Sequence, residues 1–506
     1  MHRTQIVTPI VLTAVLTSQL GWRPTVEPSS QQTSHDEALT PAATPSGWTC
    51  VLPRHDPSVR AARSGEPTRP FASRVNPNLS IPHPQPGPVN TITGFGTGPG
   101  TAPKAEVAGT LPTTTSSDTY AVPLRAGQVF SATVRGSAGT LEVRDPNGVL
   151  VEGSSLDRSG SYPPGSPLLG GGNATVDHVA ALTGTHTITI RRATKLGSTA
   201  PTPAAPTAAA PTAAADAPNA SAADLARPTP TPTPAPVPRA PDDTYQADLA
   251  IFEPPSNTTQ KIVLEFGGAT IDTRRFGVET AHNPVTLSPL KNFLAGLGLT
   301  PQDQPRLEAQ ITDTVRKDLS AALAGTPVEV TSADSAAASN FGQPGVSRVV
   351  IGGSTTEAGI STVGIAESVD PGNFVREETA LVLLDRISGP PTDTVSLTHY
   401  LPGTIAQLQK IAFISRAIGN IASHETGHLL GSWHTDPGSG KHDLMAPGDL
   451  IGAFGFGPDN IGGTADDFQA RFGQDAFAPQ EGFTGTEDTH TRTAIGLAPH
   501  PPANPS

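Results

Sequence analysis

HETGHLLGSWH (424–434) is the stretch whose reading decides the chain: three histidines and one glutamate fall within eleven residues, with glycines between them. Histidines four apart lie one above the other on a helix, so His424 and His428 can direct imidazole nitrogens at one ion. Glu425 sits beside the first histidine and faces slightly aside, within reach of water at such an ion without being a ligand. Gly431 falls where the helix must stop, because glycine enters the left-handed conformation at little cost. The chain can then turn and bring His434 in as a third ligand. Three protein ligands leave a fourth tetrahedral position open, which is the arrangement of catalytic zinc. Zinc in such a site lowers the pKa of its water to about 7 and polarises a carbonyl. With Glu425 as general base, that set of roles is what peptide hydrolysis needs.

Upstream, TIAQLQKIAFISRAIGNIASHETGHLL (404–430) reads as one long helix, with Ile411, Ile414, Ile418 and Ile421 at spacings of three and four. Its apolar stripe runs on toward His424 and His428, so the histidines are expected to emerge from a buried face. Before it lies a mixed α/β pattern. Strands are expected at QKIVLEFGG (260–268), PVEV (327–330), RVVIGG (348–353) and TALVLLDRI (379–387). PQDQPRLEAQITDTVRKDLSAAL (301–323) is expected to be an amphipathic helix with Leu307, Ile311, Val315 and Leu319 inward.

The constellation resembles the metzincin metalloproteases, whose pattern is H-E-x-x-H-x-x-G-x-x-H followed by a Met-turn. His424, Glu425, His428, Gly431 and His434 match it position by position, and DLMAP (443–447) supplies the Met-turn with Met445. The chain has two methionines and the other is the initiator. The resemblance covers roughly residues 244–450. It implies zinc on the three histidines, Glu425 as base, Met445 beneath the site and a twisted mixed sheet whose edge strand holds extended substrate. The segment STVGIAESVDPGN (361–373) could lead into or form part of that edge. Some metzincin groups place a tyrosine soon after the Met-turn, but Tyr120, Tyr162, Tyr245 and Tyr400 all precede the motif here. Disulfide ties, used in some animal groups, are excluded by a single cysteine.

Outward from this domain the texture changes. Residues 197–241 repeat proline, alanine and threonine, and repeated proline blocks both helix and sheet interior, so a linker is expected over 194–241. Residues 104–193 carry short alternating runs, TYAVPL (119–124), QVFSATV (128–134), TLEVRD (140–145), GVLVEG (148–153) and THTITI (185–190), divided by turn signals. That spacing predicts an antiparallel β-sandwich. DTYAVPLRAGQ, the DPNG turn at 145–148 and GTHTITI together resemble the pre-peptidase β-sandwich domain attached to many secreted bacterial proteases; a generic sandwich spacer is the alternative. Residues 22–103, rich in Pro, Ser, Thr and Gly, read as a low-complexity pro-region. Residues 1–21 have early basic residues and an apolar run from Ile6 to Leu16, the size of a signal-peptide core and too short to span a bilayer.

The expected architecture is therefore multidomain: a sandwich at 104–193 and an α+β zinc peptidase domain at 242–498. Among 506 residues, 54 Pro and 51 Gly with 5% aromatics are too many breakers for one continuous core. A net charge of −13 argues against a nucleic-acid partner. No later segment is apolar enough to insert in a membrane. A secreted monomer acting on protein or peptide substrates is expected.

Two further sites are candidates. Cys50, in SGWTCVLPR, could occupy the open metal position as a latency ligand, as in metzincins with a cysteine switch; an incidental thiol is the alternative. Asp459, Asn460, Asp466 and Asp467 in GPDNIGGTADD (457–467) could offer oxygen ligands to calcium, or form a solvated turn. His442 lies between His434 and Met445, but a surface position is expected for it, and Trp433 is expected to pack beside the site. Two rivals to the peptidase remain: a secreted adhesion or binding protein with structural or vestigial zinc, and a zinc hydrolase acting on a non-peptide amide.

Overall fold

The computed structural model describes residues 50–55, 90–92, 95, 102–193, 243–255, 259–277, 284–323 and 328–497. The expected signal peptide, most of the pro-region and nearly all of the linker lie outside these residues.

The first half builds a two-sheet sandwich. One sheet has β1 (Lys104–Thr110), β3 (Val129–Gly136), β6 (Ala174–Val179) and β8 (Thr244–Phe252), in the order β1-β8-β3-β6. The other has β2 (Ser117–Leu124), β4 (Ala138–Arg144), β5 (Leu150–Ser154) and β7 (Gly184–Arg192), in the order β2-β7-β4-β5. Two-residue strands complete its ends: Asn90–Thr91 beside β2, and Phe483–Thr484 beside β5. Strand alternation sends Tyr120, Val122, Leu124, Leu141, Val143, Ile188 and Ile190 inward to meet Phe130, Val134, Ala247 and Leu249. The Tyr120 and Tyr245 hydroxyls bond at 2.8 Å, and Tyr245 donates to Asp118 at 2.6 Å, so these buried phenols are satisfied within the core.

The sequence placed residues 244–252 in the second domain, and the structure differs. β8 runs antiparallel between β1 and β3, with Leu249 opposite both Ala105 and Ala132. The proline-rich stretch therefore interrupts the sandwich instead of following it. Burial explains the placement: Ala247, Leu249 and Ala250 are enclosed, an environment that a strand between two others provides and a domain edge does not.

The second half is α+β. Its sheet has β9 (Lys261–Glu265), β10 (Glu329–Ala333), β11 (Val346–Ile351), β12 (Gly364–Ala366) and β13 (Thr379–Val382), in the order β10-β9-β11-β13-β12. All neighbours are parallel except β12, which runs antiparallel to β13 at the edge, with Ile365 opposite Leu381. The edge therefore lies within the 361–373 segment. Two helices cover the sheet: α1 (Gln304–Ala322) and α2 (Gln407–Leu429). Thr300 and Asp303 form a capping box on the 3-10 turn Pro301–Asp303 that leads into α1, with Asp303 accepting from the Thr300 amide at 2.8 Å. Leu307, Ile311, Val315 and Leu319 of α1, with Ile411, Ile414, Ile418 and Ile421 of α2, enter one apolar core with Ile262, Leu264, Val349 and Val382.

The halves are joined by a buried charge cluster. Arg492, on α3 (Thr489–Leu497), meets Glu152 at 3.0 Å, Asp177 at 2.9 Å and Glu487 at 3.1 Å. Burial, reinforced by the neighbouring Asp177, pushes the Glu152 carboxyl up to about 8 despite the guanidinium. Removing the single cation would leave three enclosed carboxyl groups without it. Arg492→Met is therefore expected to cost about 3–5 kcal/mol, read as a lowered denaturation midpoint at unchanged slope. A fragment beginning at Asp243 is expected to lack a cooperative thermal transition, because β8 loses both neighbours. Co-expression of residues 46–196 with 240–506 should restore that transition.

Candidate metal centre

Helix α2 delivers His424 and His428 at its C-terminal end, where all of 417–429 is buried. Gly431 then reverses the chain at φ +97°, and a Cβ there would fall 2.4 Å from Pro371 Cα. Both the backbone angle and the contact demand glycine. The reversal brings His434 back so that its Nε2 lies 3.1 Å from that of His428. The Sγ of Cys50 lies 3.6 Å from His428 Nε2 and 3.8 Å from the Glu425 carboxylate. One ligand atom from each of Cys50, His424, His428 and His434 falls within 4.8 Å of the others, and all four are buried. Among the described residues this is the one such grouping.

The imidazoles are oriented by what their other nitrogens touch. His424 Nδ1 donates to the Leu444 carbonyl at 2.6 Å and His428 Nδ1 to the Ser432 carbonyl at 2.8 Å, while His434 Nδ1 meets the Glu481 carboxylate. Carbonyls only accept, so in His424 and His428 the proton sits on Nδ1 and Nε2 presents a lone pair inward. Burial and neighbouring histidines drive His424 down to about 3 and His428 well below its ordinary value, so both stay neutral. The inward lone pair of His428 faces His434 Nε2 at 3.1 Å, a position that a proton on His434 or a cation held among the three nitrogens would satisfy. The set of nitrogen and sulfur donors therefore fits a divalent metal of the zinc class. Burial also raises both the Cys50 thiol and the Glu425 carboxyl, with Glu425 adding to the shift at Cys50. Positive charge at the centre would work against both shifts.

Met445 is fully buried under this floor, and a Cβ on Gly427 would stand 2.5 Å from its Sδ. The Met445 carbonyl accepts from Thr435 N at 3.1 Å, which ties the methionine segment to the residue after His434. On the opposite side, edge strand β12 closes over the glutamate: a Cβ on Gly364 would meet Glu425 Oε1 at 2.2 Å. That oxygen is buried and has no hydrogen-bond partner among the described residues.

The acidic stretch behaves differently. Asp467 pairs with Arg416 and accepts from Gly463 N, Asp459 accepts from Ile461 N, and Asp466 accepts from Thr464 and Asp459 N. Asn460 donates to the Pro458 carbonyl. The turn itself uses most of these oxygens, with Asp467 Oδ1 buried and without a hydrogen-bond partner among the described residues, and they are not in the His/Cys/Asp/Glu grouping described above. His442 bonds Asp449 at 2.7 Å, away from the cluster. Trp433 is fully buried and donates to Asp177 at 3.0 Å, bridging to the sandwich. Sequence reading missed Glu481, which lies 47 residues beyond His434 and carries no local spacing signal.

Zinc is expected to bind at one equivalent per chain by elemental analysis. It should raise the melting temperature, since a ligand at 100 times its Kd adds about 2.7 kcal/mol, and a chelator should reverse the gain. His428→Ala should lose the metal, whereas Cys50→Ser should retain it on three imidazoles. Gly431→Ala should cost about 1–3 kcal/mol or more and loosen His434.

No family model matches the chain, and no curated protein matches it. Among solved structures, the chain is similar to the Aeromonas hydrophila PliG, a periplasmic lysozyme inhibitor of g-type lysozyme. That match has 13% identity and a TM-score of 0.16, covering 32% of this chain and 97% of that one. A second similarity is to the GM1 bound form of the ECX AB5 holotoxin, with 10% identity and a TM-score of 0.22, over 47% of this chain and 80% of that one. Likenesses at these scores carry no argument about fold or function.

Proposed function

We propose that this chain is an exported zinc-dependent endopeptidase of metzincin type, monomeric and held latent by Cys50. The observation that carries the reading is Glu425: a buried carboxylate beside three convergent imidazoles, with one oxygen left without a partner and turned to an edge strand. His424, His428 and His434 would hold zinc, with their Nδ1 partners fixing the rings. Zinc supplies Lewis-acid polarisation of the scissile carbonyl and a more acidic water. Glu425 takes a proton from the attacking water and passes it to the departing amine. Enclosure alone holds this carboxyl above its ordinary value, and positive charge at the centre would return it toward the ionised form that the transfer needs. The backbone of β12 lies against this carboxylate at Gly364, so an extended polypeptide bound along that edge passes the base. Cys50 would occupy the remaining metal position until it is displaced.

One observation favours a second reading. A Cys/His3 set is closed, which is how structural zinc is held, and a binding protein could carry it. Such a site has no use for a buried carboxylate with an idle oxygen beside the metal. The test separates the two. The full-length zinc-loaded chain carrying Cys50→Ser is expected to cut reduced casein. Adding Glu425→Gln should slow cleavage by roughly 10²–10⁴-fold with zinc content unchanged. A zinc-loaded Cys50→Ser chain that never cuts would favour the structural reading. Gly364→Ala in the Cys50→Ser background should displace the Glu425 carboxylate and lower the cleavage rate, again without metal loss.

A further inference from the structure

Residues 50–55 do more than carry a thiol. The thiol of Cys50 faces the imidazoles, Val51 is 46% exposed, Leu52 turns inward and Pro53 is buried. In, out, in over three residues is the alternation of an extended strand, which places the Leu52 side chain about 7 Å along the chain from that of Cys50. Leu52 packs on an apolar cluster that contains Tyr162, Leu168, Val369 and Trp433. The Arg54 backbone lies against Gly277, where a Cβ would fall 2.1 Å from the Arg54 carbonyl oxygen. His55 ties off the segment at both walls: its amide donates to the Gly160 carbonyl at 2.6 Å and its Nε2 bonds the Glu367 carbonyl at 2.8 Å.

Those walls come from different halves of the molecule. Glu367 and Val369 continue directly from β12, the edge beside Glu425. Gly160, Tyr162 and Leu168 belong to the sandwich, in the connection between β5 and β6. The two are stitched together where Val369 N donates to the Ser161 carbonyl at 2.8 Å. An extended peptide that starts at the metal centre is thus received between the catalytic edge and a sandwich loop.

We propose that the sandwich loop 159–168 forms one wall of the substrate groove, and that the pocket filled by Leu52 selects an aliphatic side chain of an extended polypeptide substrate. The proposal rests on the peptidase reading above. The cluster against which Leu52 packs explains the selectivity: its members, Leu168, Val369, Tyr162 and Trp433 among them, are hydrophobic, and Tyr162 and Trp433 direct their polar atoms to Asp177. A charged side chain would lose its water there without gaining a partner.

The test uses the full-length zinc-loaded chain with Cys50→Ser and Leu52→Ala, which weakens the internal occupant. A fluorescein-labelled peptide of residues 48–56, with serine at the Cys50 position, is titrated into the Glu425→Gln form by anisotropy. It is expected to bind at least about tenfold more tightly than the same peptide carrying Leu52→Asp. The form with Glu425 intact then digests reduced casein, and the cut sites are sequenced. One fixed position relative to the cut should be enriched about tenfold in aliphatic residues, and Leu168→Ala should blunt that enrichment. If Leu168→Ala does not fold, the peptide pair decides. Equal binding of the two peptides, or cutting with no aliphatic enrichment, overturns this proposal and leaves the peptidase reading standing. No cutting at all overturns that reading, and this proposal with it.

Discussion

Three imidazoles aimed at one enclosed point form the constraint on which the surrounding structure depends. Imidazole nitrogens brought within 3.1 Å inside a buried pocket need a shared proton or a cation among them. The elements nearby hold the rings in that arrangement. The Leu444 and Ser432 carbonyls and the Glu481 carboxylate fix the outer nitrogens, Gly431 forces the reversal, and Met445 fills the space under Gly427. Each would be an odd expenditure in a centre that never holds a cation.

The sandwich is bound into the same arrangement. Arg492 gathers Glu152 and Asp177 from the sandwich with Glu487, and its Nη1 also donates to the Gly431 carbonyl at 3.3 Å. Trp433, between the glycine and the third histidine, donates to Asp177. The turn that positions His434 is therefore braced by residues more than 250 positions away in sequence. Desolvated charges tolerate displacement poorly, so this contact fixes how the two halves meet more firmly than apolar packing alone would.

On the proposed peptidase reading, Cys50 and Leu52 would give the groove its occupant. A thiol beside the three imidazoles and a leucine on the adjoining apolar cluster would place one short segment across both the chemistry and the recognition surface. Latency and selectivity would then share a single physical basis, the fit of an extended backbone between β12 and the 159–168 loop.

Local spacing determined a good deal. The period of α1 and α2, the i and i+4 histidines and the glycine at the helix end all follow from contacts within a few residues, and such contacts are written in sequence order. The strands that alternate clearly, such as Ser117–Leu124, were legible for the same reason. Other features had no local signature. The run Ala174–Val179 is buried throughout, so it shows no alternation, and it carries Asp177 and His178. Strand Thr244–Phe252 follows a proline-rich stretch that reads as a boundary, yet pairing with Lys104–Thr110 and Val129–Gly136 returns it to the sandwich. Glu481, Arg492 and the seat of Leu52 depend on residues far apart in the chain. Tertiary structure alone decided them, because hydrogen bonds and buried charges are satisfied by proximity in space and sequence spacing does not encode it.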